Sequence, residues 1–137
     1  DGIIIPDMPL HYYLSNFKEL CEVNQVSNVL LITPETSEER IKQLDSYSSG
    51  FIYLVSSNSI TGSTNAITFQ TDYYQRIQSM KLQNPHLIGF GVHDKKTFET
   101  VCEFGSGAII GSAFIKHLKE KGTSKESIQG FVEGIRK

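Results

Sequence analysis

The sequence has no tryptophan, only two cysteines and four prolines in 137 residues, and no excess of charge of either sign. Each shortage excludes something. Cys21 and Cys102 lie far apart, with no CxxC spacing and no histidine cluster beside them, so neither a disulfide framework nor a metal site is expected and both read as buried thiols. Thirteen basic residues are mixed among fifteen acidic ones, for a formal net charge of -2, and form no stripe that would track a nucleic-acid backbone. The four histidines never fall at ligand spacing, which leaves them surface or capping roles and no metal. No apolar run approaches the ~20 residues that span a bilayer, and the start has no charged-then-apolar leader pattern, so the expected location is cytoplasmic. The first residues, "DGIIIPD", already carry a strand pattern and begin with Asp rather than Met, as in a chain entered midway.

What is present is a set of short apolar runs: "GIII" (2–5), "NVLLIT" (28–33), "FIYLV" (51–55), "LIGFGV" (87–92) and "GAIIG" (107–111). Nearly continuous and rich in β-branched or aromatic residues, they suit strands of a parallel sheet covered on both faces. Helical periodicity separates them. Leu10, Tyr13, Leu14, Phe17, Leu20 and Cys21 form one apolar stripe. Thr36 with Glu39 reads as a capping box ahead of Ile41, Leu44 and Tyr47. A third helix carries Phe69, Tyr73, Ile77 and Met80, and a fourth, marked by Phe98, Val101 and Cys102, is expected to stop at Gly105 as its C-terminal cap. Ala113 to about Glu120 forms a fifth, and Thr123 with Glu126 opens a last one with the stripe Ile128, Phe131, Val132 and Ile135. The strand starts are 20 to 36 residues apart, long enough for right-handed crossovers between parallel neighbours. Strict alternation leaves an open doubly wound sheet or part of a (β/α)8 barrel, in one domain or one piece of a domain.

In parallel α/β proteins ligands bind at the carboxyl ends of the strands. The residues there are Pro6 to Pro9, Thr33-Pro34, Ser56 to Ser63, Gly91 to Asp94, and Gly111-Ser112. Gly111 and Ser112, directly before a helix, place free backbone N–H groups and a positive dipole end at a strand mouth, where a phosphate binds without Lys or Arg. Gly62 and Gly91, lacking a Cβ, add further amides. Singly, each glycine is explained by a tight turn, a loop or a plain N-cap. On the last three strands together, they converge on one phosphate, as in (β/α)8 enzymes with a phosphate site after the seventh and eighth strands.

The stretches "DGIIIPDMPL", "YLVSSNSITGS", "IGFGV" and "GAIIGSAFIK", in this order and spacing, resemble the α subunit of tryptophan synthase from Asp1 to Lys137. The resemblance implies a (β/α)8 TIM barrel of which this chain is about the second half, from the fourth strand onward, and a lyase of tryptophan biosynthesis. It further implies retro-aldol cleavage of indole-3-glycerol phosphate to indole and glyceraldehyde 3-phosphate. The substrate phosphate is then held by Gly62, Gly91, Gly111 and Ser112, and the indole lies against Tyr53, Phe90 and Ile110 with Thr61 in a lid over it. Asp7 and Pro9 of the "PDMP" turn face a β subunit within a heterotetramer, and that β partner, not this subunit, carries pyridoxal phosphate. One departure stands out: many members have an arginine early in the lid, where this sequence reads Ser56-Ser57-Asn58.

Cleavage requires protonating indole C3, removing the N1 proton and taking a proton from the glycerol hydroxyl, work suited to positioned carboxylates. The resemblance places those upstream of Asp1, so the catalytic residues of this chain are unknown. Asp7 is not promoted to general base, and Tyr53 is either a hydrogen-bonding assistant or core filling. The fragment alone is expected to bind rather than turn over substrate. Two other readings stay open: a different phosphate-binding barrel enzyme, such as an isomerase or thiazole-type synthase, and a non-catalytic module that contacts the β subunit.

Overall fold

A computed structural model describes residues 1–56, 71–89 and 91–137. Five strands, β1 (Gly2–Ile4), β2 (Ser27–Ile32), β3 (Ile52–Val55), β4 (His86–Gly89) and β5 (Gly107–Ile109), pair in parallel and in chain order. That order decides between the two expected architectures. A doubly wound sheet reverses direction part-way along, whereas an order that only advances winds one way and keeps every crossover on the same face. The result is half of a (β/α)8 barrel.

The helices are α1 (Leu10–Asn16), α2 (Lys18–Val23), α3 (Glu38–Tyr47), α4 (Thr71–Ser79), α5 (Lys95–Cys102), α6 (Ser112–Lys121) and α7 (Lys125–Arg136). Register fixes which strand residues meet them. Ile32, Leu54, Ile88 and Ala108 are consecutive partners across the sheet. The first three are fully buried in one core with Ile41 and Ile77 of the helices, and Ala108 packs against it. The alternate row, Leu31, Tyr53, Leu87 and Gly107, faces the barrel interior, which is why these positions are only partly buried.

Several local expectations shift by a residue. The single stripe expected between the first two strands is carried by two helices that meet at Phe17. Leu10, Tyr13, Leu14, Phe17 and Cys21 reach the core, but Leu20 is 58% exposed. Leu20 lies about 80° round the axis from Leu10, at the margin of the stripe. Both capping boxes also move. Ser37, not Thr36, caps α3 by accepting from the Arg40 N–H, because the Thr36 hydroxyl already accepts from the Thr33 N–H at 3.0 Å. Ser124, not Thr123, caps α7. A complete capping box appears instead at α5, where Asp94 and Thr97 bond each other's backbone N–H groups. Gly105 is not a left-handed cap: it is absent from the positive-φ positions, and the C-cap of α5 is Glu103. Its need for glycine is spatial, since a Cβ there would come within 3.1 Å of the His86 carbonyl on β4. Cys102 is exposed, so the expectation of two buried thiols fails for it, while Cys21 is half-buried.

One buried polar group anchors the end of the barrel away from the strand mouths. Asp45 of α3 is 5% exposed, and its carboxylate accepts from the Gln83 N–H at 2.7 Å, the Asn84 N–H at 3.0 Å and the Asn84 amide at 2.9 Å. These bonds tie α3 to the turn that feeds β4. Asp45→Asn turns one acceptor into a donor facing a donor, and is expected to lower unfolding free energy by about 1.5 kcal/mol in chemical denaturation.

Candidate functional site

The carboxyl ends of β3, β4 and β5 stand side by side. At the end of β3 the Ser56 hydroxyl donates to the Gly89 carbonyl at 3.0 Å, joining β3 to β4. The phenol of Tyr74, a buried side chain on α4, lies close to that hydroxyl. Next to it, the Tyr73 hydroxyl donates to the Ile32 carbonyl at the end of β2 at 2.9 Å. Tyr73 therefore ties α4 to the mouth of β2, while Ser56 joins the mouths of β3 and β4.

Burial pushes the Tyr74 phenol from its ordinary value of 10.0 to about 12 and raises Tyr73 further. With the folded value above the unfolded one, the stabilisation is complete below pH 10 and drains away as pH rises towards 12. Stability measured between pH 9 and 12 should fall less steeply in Tyr74→Phe than in the unaltered protein.

Tyr53 lies on the interior face of β3 and leans across β4 over Gly89, where a Cβ would collide with its hydroxyl and ring atoms. Burial holds its phenol above the ordinary value, so the hydroxyl stays protonated at neutral pH. Sequence reasoning passed over Gly89. Its signal was the doubled glycine of "GFG", of which only Gly91 was assigned a role.

Beyond β4, Gly91 adopts φ +78°, a left-handed conformation that disfavours any residue with a Cβ. Beyond β5, Gly111 occupies the N-cap position of α6 with φ -99°, and no side chain caps that helix. The earliest α6 amide bonded back to the cap is that of Ile115, to the Gly111 carbonyl at 3.0 Å, which leaves the Ser112, Ala113 and Phe114 N–H groups directed out of the helix start. Among the described residues, a Cβ added at Gly91 or Gly111 would meet nothing within 4 Å. Packing against those residues therefore does not demand either glycine. Both stand beyond adjacent strands, and Gly111 opens a helix whose first amides and dipole are of a kind suited to an anion.

Of the residues expected around the ligand, Gly62, Thr61 and Phe90 lie outside the described residues, as do Ser57, Asn58 and Phe69. Ile110 packs against the core beneath the helices. Ile109, the register partner of Gly89, shares the interior face with Tyr53 and replaces it as the β5 residue next to the site. Asp7 and Pro9 are both exposed before α1, whose N-cap is Pro9 without a side-chain bond, so Asp7 does not cap it. A cleft of about 490 Å³, lined by Tyr13, Lys18, Cys21 and Ser46 to Ser49, lies at the opposite end of the strands. Among the described residues no group of three or more His, Cys, Asp or Glu is placed to hold a metal ion, and no helix is long and apolar enough to cross a membrane.

Residues 1–134 match the family model described as Tryptophan synthase alpha chain. The tryptophan synthase alpha chain of Flavobacterium psychrophilum is 54% identical over 98% of this chain and 53% of its own length. That of Flavobacterium johnsoniae is 50% identical over 99% of this chain and 53% of its own. Among solved structures, the tryptophan synthase a2b2 complex of Pyrococcus furiosus superposes with a TM-score of 0.79 at 31% identity, covering 99% of this chain and 55% of that one. A mutant alpha-subunit from the same hyperthermophile gives a TM-score of 0.76 at 29% identity. The chain thus spans about half the length of the curated relatives it matches. With its one-way parallel sheet, its glycines at the strand mouths and this match along nearly its whole length, the chain belongs to the tryptophan synthase alpha chain family.

Proposed function

We propose that residues 1–137 are the C-terminal portion of a single (β/α)8 domain and supply the substrate-binding half of a lyase that cleaves indole-3-glycerol phosphate to indole and glyceraldehyde 3-phosphate. The observation that carries this reading is the pair Gly91 and Gly111 on adjacent strand mouths, each with no described residue within 4 Å of where its Cβ would be, beside the start of α6, whose N-cap is glycine. Gly91, Gly111 and Ser112 donate backbone N–H groups to the substrate phosphate, with Gly62 completing the set. Tyr53, Ile109 and Phe90 flank the indole, with Thr61 above it. The proton transfers fall to carboxylates in the preceding half of the barrel. Asp7 and Pro9 lie in an exposed turn suited to a β subunit, in a heterotetramer whose pyridoxal phosphate belongs to that partner. On this reading the chain needs no cofactor of its own and works in the cytoplasm.

Titration of the full-length subunit with indolepropanol phosphate tests the proposal. Saturable binding that glycerol 3-phosphate competes away is the expected result. Binding insensitive to glycerol 3-phosphate would remove the phosphate site from the reading. A barrel enzyme with another substrate would bind glycerol 3-phosphate but show no preference for the indole-bearing compound.

A further inference from the structure

The segment from Gly91 to Thr97 is organised by a side chain that the phosphate reading leaves unused. His93 Nδ1 lies 2.7 Å from the Gly91 carbonyl oxygen, an acceptor only, so this nitrogen carries a hydrogen and donates. The His93 backbone N–H donates to the Thr97 hydroxyl at 3.0 Å, and His93 Nε2 stands 3.6 Å from an Asp94 carboxylate oxygen. That carboxylate accepts from the Thr97 N–H at 2.8 Å, which holds it at the start of α5.

Gly91 needs such a restraint. Glycine loses more conformational freedom on ordering than any other residue, and among the described residues nothing lies within 4 Å of the place where its Cβ would be, so none of them holds it by packing there. An amide that must meet an anion binds it more tightly when its turn is already fixed. We propose that His93 is a positioning residue for the phosphate site: by holding the Gly91 carbonyl it fixes the left-handed turn that presents the Gly91 N–H to the substrate phosphate. The inference rests on the phosphate reading given above.

The test uses the full-length subunit and glycerol 3-phosphate as the probe. His93→Ala removes the donor and is expected to weaken binding roughly fivefold, with substrate KM raised by a similar factor and kcat unchanged. His93→Asn keeps an N–H donor at comparable reach and should return binding to within about twofold of the unaltered protein. Because His93 is exposed, neither variant should shift the melting temperature, which separates positioning from a folding defect. Unaltered binding in His93→Ala, or an asparagine variant as weak as the alanine one, overturns the positioning role. Gly111→Val, measured alongside, keeps the two readings apart. If it weakens binding and His93→Ala does not, only the positioning role fails; if it too binds normally, the phosphate site fails and the role of His93 falls with it.

Discussion

Gly89→Ala is expected to lower affinity for indolepropanol phosphate at least tenfold and to cost about 1–3 kcal/mol of stability, although it adds a single methyl group to a strand. The methyl would occupy space already filled by the Tyr53 phenol. The backbone has little freedom to yield, since Gly89 is paired with Val55 on one side and Ile109 on the other and its carbonyl accepts from Ser56. The ring is therefore the part that moves, off β4 and away from its place beside the proposed indole position. The pairing makes the explanation testable. In Gly89→Ala combined with Tyr53→Ala the clash is gone, so the double variant should be more stable than the sum of the single effects by about 1 kcal/mol or more. Simple additivity in thermal or chemical unfolding would show that the methyl acts through something other than the ring.

Gly111→Val should do the reverse: remove ligand binding and leave the fold alone. Its φ of -99° is open to residues with a Cβ, and a Cβ there meets none of the described residues within 4 Å. The valine side chain instead enters the space assigned to the phosphate and screens the first amides of α6. Two lost hydrogen bonds to a charged ligand correspond to a loss of affinity on the order of 100-fold. The melting temperature should remain within about a degree, since surface changes away from packing are usually small. Normal binding in a folded Gly111→Val protein would exclude the start of α6 from the site. Gly91 is a poorer test, because its φ of +78° makes any substitution strained whether or not a ligand is present.

The two glycines differ in what their sequence context reveals. Gly111 is followed by serine and an apolar helical pattern, so its place before a helix is local information and legible. Gly89 is glycine because a side chain from the neighbouring strand lies over it, and the doubled glycine of "GFG" marks the position without telling what fills the space. The choice of Ile110 over Ile109 for the indole pocket has a similar origin: both lie in one continuous apolar run, and only the pairing of Gly89 with Ile109 tells which of them shares the interior face with Tyr53. The displaced caps at Thr36 and Thr123 arose because each threonine precedes a serine. Either hydroxyl satisfies the pattern, and at the first site the choice turns on the Thr33 N–H that claims Thr36.

By itself the sequence determined the five parallel strands, their alternation with helices, the glycines at the strand mouths and, through four short stretches, the family. These are properties of residues close in the chain, carried by apolar run length, periodicity and glycine placement. Only the tertiary structure decided that the sheet winds one way, that Tyr53 rests on Gly89, that Tyr73 of α4 bonds the mouth of β2 and that the His93 ring meets the Gly91 carbonyl. The first three are contacts between residues far apart in sequence, set by strand register and by the face on which the helices pack, and the last depends on a backbone turn whose left-handed geometry appears only once β4 and α5 are in place.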